Sequence, residues 1–103
     1  MQVYPDASYR AAYLKAIGGK DLFYPERRLS ALGAREGFDV LNLAPVLQDY
    51  ADRRHAFVHG FPNTRIGTGH WNATGHRLAG ELIARRLCEL IKQSAAPLSA
   101  RSD

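Results

Sequence analysis

The chain has 103 residues, 46% of them apolar and 23% charged, with a formal net charge of +4. That is the make-up of one globular domain with a modest core. No run of eighteen apolar residues exists to span a membrane as a helix, and Met1-Gln2-Val3-Tyr4-Pro5-Asp6 has neither the basic start nor the apolar stretch of a signal peptide.

Gln2-Val3-Tyr4 is too short to assign, although it reads as the tail of a strand. Asp6 predicts the N-cap of a helix through about Ile17, ended by Gly18-Gly19. Pro25 suits a first helical position, and a second helix is expected to about Arg35, with Leu29 and Leu32 inward and Gly37 closing it. Phe38-Asp39-Val40-Leu41-Asn42-Leu43 is the one stretch whose β-branched and aromatic content favours a strand. Pro45 opens a third helix fading at Arg53-Arg54, and Ala56 to His59 reads as a short strand or a loop. Gly60 to Gly69, with Pro62 and Asn63, is a loop of functional rather than connective length. Asn72 then predicts the N-cap of a long last helix ending near Gln93. Its apolar residues, Leu78, Ala79, Leu82, Ile83, Leu87, Leu90 and Ile91, follow helical spacing and predict one buried stripe. Cys88, the lone cysteine, excludes an internal disulfide, leaves the compartment open and is expected as a buried small hydrophobe.

Helices alternating with an apolar strand predict an α/β fold with a parallel sheet. One strand cannot build a layer, because its backbone groups need neighbours. The expectation is therefore the C-terminal part of a larger α/β domain over residues 1–93, its sheet incomplete within this chain, with a disordered tail over 94–103.

The most informative block is Gly67-Thr68-Gly69-His70-Trp71-Asn72-Ala73-Thr74-Gly75-His76. A glycine-rich run delivers a histidine and a tryptophan at the start of a helix. His70-Trp71-Asn72-x-x-Gly75-His76 running into Leu-Ala-Gly-Glu-Leu-Ile-Ala resembles the last conserved block of the SGNH (GDSL-type) hydrolases. The similarity extends back through Phe38–Leu43 and covers most of the chain. It implies a three-layer α/β/α, flavodoxin-like fold and a serine esterase acting on lipid, acyl or carbohydrate esters. His70 matches that family's catalytic base. The same resemblance places an aspartate three residues before the histidine, where this chain has Gly67, and no carboxylate lies between Asp52 and Glu81. Either Asn63 or a backbone carbonyl of the 60–69 loop orients the ring, or the catalysis is that of a Ser-His dyad, or there is none.

The rest of such a site is missing. Ser8, Ser30, Ser94, Ser99 and Ser102 are the serines, and none stands in a Gly-x-Ser-x-Gly or Gly-Asp-Ser setting. The oxyanion-hole glycine and asparagine blocks that the resemblance implies are absent as well. The chain reads as a fragment or truncated copy of such an enzyme, inactive by itself. The competing reading is a non-catalytic helical interaction module that needs a partner to complete its sheet.

Four histidines, His55, His59, His70 and His76, raise the question of a metal. No His-Glu-x-x-His or cysteine pair accompanies them, and neither a metal nor a cofactor is expected. The arginine pairs Arg27-Arg28, Arg53-Arg54 and Arg85-Arg86 fall on three separate predicted helices, so a nucleic-acid surface is not expected either. Asn72-Ala73-Thr74 matches the glycosylation sequon, but capping is the better use of that asparagine. Trp71 has two readings: packing of the loop onto the last helix, favoured, or a wall of the substrate pocket.

Overall fold

A computed structural model describes residues 6–95. It contains four helices: α1 (Ala7–Ala16), α2 (Tyr24–Glu36), α3 (Ala44–Arg54) and α4 (Ala73–Ala95). Local sequence signals explain their ends. The Asp6 carboxylate accepts from the backbone N–H groups of Ser8 and Tyr9, at 2.7 and 3.2 Å, and caps α1. Pro25 and Pro45 sit in the first turns of α2 and α3. Gly37 closes α2 in the left-handed region at φ +80, its N–H donating to the Gly33 carbonyl. His55 closes α3 in the same way at φ 49, without glycine's freedom.

Among the described residues there is no strand and no sheet, which overturns the expected α/β fold and its three layers. The segment from Phe38 to Leu43 is unpaired. β-Propensity measures how well a side chain fits a pleated, half-buried surface. Here no strand lies alongside to make one, and Phe38 and Leu41 are exposed. Side chains hold the segment instead. Asn42 Nδ2 donates to the Glu26 carbonyl at 3.1 Å and to Ser30 Oγ at 2.6 Å, which ties it to α2. Asp39 pairs with Arg86 of α4. Gly33 lets α2 approach, since a Cβ there would lie 2.6 Å from the Phe38 carbonyl oxygen.

The core is small. Leu47 and Ala51 of α3 and Val58 are buried together, with Leu43, Tyr50, Trp71 and Leu78 packed around them. α1 buries no residue fully, and α2 buries only Gly33. The shape follows: the radius of gyration is 16.9 Å, against about 13 Å for a compact domain of this length.

α4 departs from its expected packing. Its apolar residues span roughly 220° of circumference at 100° per residue, too wide for one neighbour to cover. Gly75 and Ala79 are buried, and Leu78 and Leu82 partly so. The other edge is open, with Ile83, Leu87 and Ile91 at 44%, 53% and 66% exposed. Cys88 is exposed too, contrary to the buried role expected for it. Leu29, expected inward on α2, also faces solvent. The helix runs two residues past Gln93, through Ser94 and Ala95, which removes those two from the expected tail. The rest of that tail and the Gln2–Tyr4 segment lie outside the described residues. No described helix is long and apolar enough to cross a membrane.

One arginine of each expected pair has a carboxylate partner: Arg27 with Asp21, Arg53 with Asp49, and Arg86 with Asp39 and Glu89.

Candidate active site

His70 sits at the end of a loop stitched shut by its own backbone. Two hydrogen bonds, Gly60 N–H to the His70 carbonyl at 2.9 Å and Asn72 N–H to the Val58 carbonyl at 3.0 Å, form an antiparallel bridge between His59 and Trp71. Inside the loop, Gly67 N–H donates to the His59 carbonyl at 3.0 Å. Thr64 and Thr68 each turn a hydroxyl back onto the carbonyl three residues earlier, Phe61 and Arg65. Gly60, Gly67 and Gly69 all take positive φ. At Gly60 there is no alternative, because a Cβ would lie 2.8 Å from the Arg65 carbonyl oxygen.

The helix side of the block is equally specified. Asn72 Oδ1 accepts the Gly75 N–H at 3.0 Å, the expected cap, and Asn72 Nδ2 donates to the Phe57 carbonyl at 2.9 Å. One side chain therefore joins the start of α4 to the segment before the bridge. Gly75 makes that junction possible. A Cβ there would fall well inside contact distance of the Val58 carbonyl oxygen and 2.9 Å from Trp71 Cβ. The Asn-x-x-Gly spacing thus has a physical reading: a cap, then the point of closest approach one turn later.

Between these parts lies an open cleft of about 230 Å³ lined by His59, Gly69, His70, Trp71 and His76. The His70 ring is exposed, with no hydrogen-bond partner among the described residues. Neither Asn63 nor a carbonyl of the 60–69 loop orients it. Trp71 packs on the core, the favoured of its two readings, and also lines the cleft, where its ring meets that of His76 edge-on at 5.7 Å. His55 lies apart, exposed at the end of α3. Among the described residues no group of three or more histidine, cysteine or carboxylate side chains is arranged to hold a metal ion.

His59 is the residue whose place sequence reasoning missed. It is only 2% exposed, and its Nδ1 lies 2.7 Å from the Gly69 carbonyl oxygen. A carbonyl can only accept, so Nδ1 carries the proton. The single signal in the sequence was its position between apolar Val58 and Gly60. Burial pushes its titration below the ordinary 6.5, partly opposed by the Gly69 hydrogen bond. The unfolded chain therefore binds a proton near pH 6.5 that the folded chain resists, and stability falls as the pH drops through 6.5. Urea unfolding is expected to show a lower midpoint at pH 5 than at pH 7.5, a difference that His59→Phe removes. The Asp39 carboxyl, held below 3.8 by its hydrogen bond to Arg86, adds a separate loss only in stronger acid.

A second hollow, of about 180 Å³, brings Asp6 and Tyr9 of the α1 end up to Phe57, Arg65, Gly67 and Thr68. The fold thus carries a carboxylate toward the loop from far along the chain, where a local search between Asp52 and Glu81 finds none. Asp6 is engaged as the α1 cap. Comparison with protein-family models, with curated proteins and with solved structures finds no match to this chain.

Proposed function

We propose that this chain is the base-bearing part of an SGNH-type ester hydrolase, acting on lipid, acyl or carbohydrate esters. The observation that carries the reading is the block from His70 to His76, in which every distinctive residue has a physical role. Asn72 caps, Gly75 admits the close approach, Trp71 walls the cleft, and His70 is left exposed at its mouth. In the reaction, His70 takes the proton of an attacking serine hydroxyl as the new Oγ–C bond forms. It returns that proton to the leaving alcohol oxygen as the ester C–O bond breaks.

On this reading the serine and the oxyanion donors lie outside the described residues 6–95. Ser8, Ser30 and Ser94 do not line the cleft, and the Ser30 hydroxyl is engaged by Asn42. The proposed proton transfers need neither a metal nor a cofactor. The test is to express the chain within its full open reading frame and assay p-nitrophenyl ester hydrolysis. Turnover blocked by a serine-directed fluorophosphonate supports the reading. A folded, complete protein with no such turnover overturns it.

A second reading, a non-catalytic helical interaction module, rests on the open edge of α4 at Ile83, Leu87 and Ile91. It requires a partner over that edge, and it predicts that His70→Ala changes no catalytic rate.

A further inference from the structure

We infer that His59 is a positioning residue for His70, setting the direction in which the His70 side chain leaves the backbone. The inference rests on the reading of His70 as a base, but its geometry stands independently. Two peptide planes flank the His70 Cα, and each is anchored through its carbonyl. The Gly69 carbonyl, in the plane before it, accepts from the His59 ring at 2.7 Å. The His70 carbonyl, in the plane after it, accepts from the Gly60 N–H at 2.9 Å. Fixing both planes fixes φ and ψ at His70, and with them the Cα–Cβ direction. Both anchors come from consecutive residues, 59 and 60, so the histidine is held from one place.

The need for the ring contact follows from Gly69. It sits at φ +84 with nothing within 4 Å of where a Cβ would be, so neither a side chain nor packing restrains it. Without a donor on its carbonyl, the plane before His70 is free to rock. His59 supplies that donor from a site 2% exposed, and the hydrogen bond itself is partly buried. A base displaced by about 1 Å can lose on the order of 10²-fold in rate, which is what such an anchor protects against.

The experiment is solution NMR on the full 103-residue chain at pH 7.5, comparing wild type, His59→Phe and His59→Asn. Phenylalanine keeps a ring and loses the donor; the asparagine amide reaches to nearly the position of Nδ1 and keeps it. His59→Phe is expected to speed hydrogen exchange at Gly60 N–H at least about tenfold, as expected for an opened local hydrogen bond. It should also average the φ-dependent coupling of His70 toward its coil value. His59→Asn is expected to return both to near wild type. A folded His59→Phe chain with unchanged Gly60 exchange and His70 coupling overturns the proposal. If His59→Phe does not fold, the wild-type imidazole nitrogens decide: a proton on Nδ1 with a scalar coupling to the Gly69 carbonyl carbon supports it, and a proton on Nε2 overturns it. None of these readouts involves a substrate, so a failure of His70 as a base would be seen separately, in ester turnover.

Discussion

On the proposed hydrolase reading, replacing His70 by alanine in the serine-containing full-length protein is expected to lower kcat/KM for a p-nitrophenyl ester by roughly 10⁶-fold, the scale on which loss of a triad histidine acts. The loss should fall on kcat more than on KM, because proton transfer is needed only as the serine attacks and the alcohol leaves. The same substitution should leave the melting temperature almost unchanged. The His70 ring is exposed and makes no hydrogen bond among the described residues, and the loop is closed by backbone groups that alanine retains. A loss of turnover under about tenfold would count against His70 as the base.

Gly75→Ala should be the most damaging single methyl added to the described structure near the site. The new Cβ meets the Val58 carbonyl oxygen and Trp71 Cβ, and both belong to the packed core of the molecule. Backbone and tryptophan cannot swing aside as a flexible side-chain tip can, so overpacking costs about 3 kcal/mol. Moving α4 away to relieve it disturbs the Asn72 cap, about 1 kcal/mol more, while alanine's better helix propensity returns about 1 kcal/mol. The expected net loss is about 3 kcal/mol by urea unfolding. Gly80→Ala, five residues on in the same helix, is the matched control. Nothing lies within 4 Å of its would-be Cβ, so only the propensity gain operates, and stability should rise by about 1 kcal/mol. Equal signs for the two glycines would refute this account of the junction.

Gly75 also shows why the block is a stronger signal than its histidine alone. A histidine near an N-cap has many uses. A histidine followed by an asparagine that both caps a helix and ties it to Phe57, and by a glycine that admits the Val58 carbonyl, has a defined setting.

Much of the local structure was legible from single residues. Asp6, Pro25, Gly37, Pro45 and Asn72 mark helix ends through interactions reaching only three or four positions along the chain, and each does so in the structure. The prominence of His70 was legible for the same reason, since the loop and helix that present it are contiguous in sequence.

Tertiary structure alone decided the rest. Phe38 to Leu43 has strand composition, but a strand exists only where another lies beside it, and here Asn42 and Asp39 anchor the segment to helices instead. The apolar residues of α4 announce burial, yet periodicity cannot say which edge a neighbour covers, and the core formed against Gly75 and Ala79 while Ile83, Leu87 and Ile91 stayed in solvent. His59 reads as one more histidine until the loop folds back and sets its ring against the Gly69 carbonyl. Caps and turns are short-range interactions between neighbours in sequence, so residue types declare them; pairing, coverage and burial depend on what arrives from elsewhere in the chain, and only the folded backbone declares those.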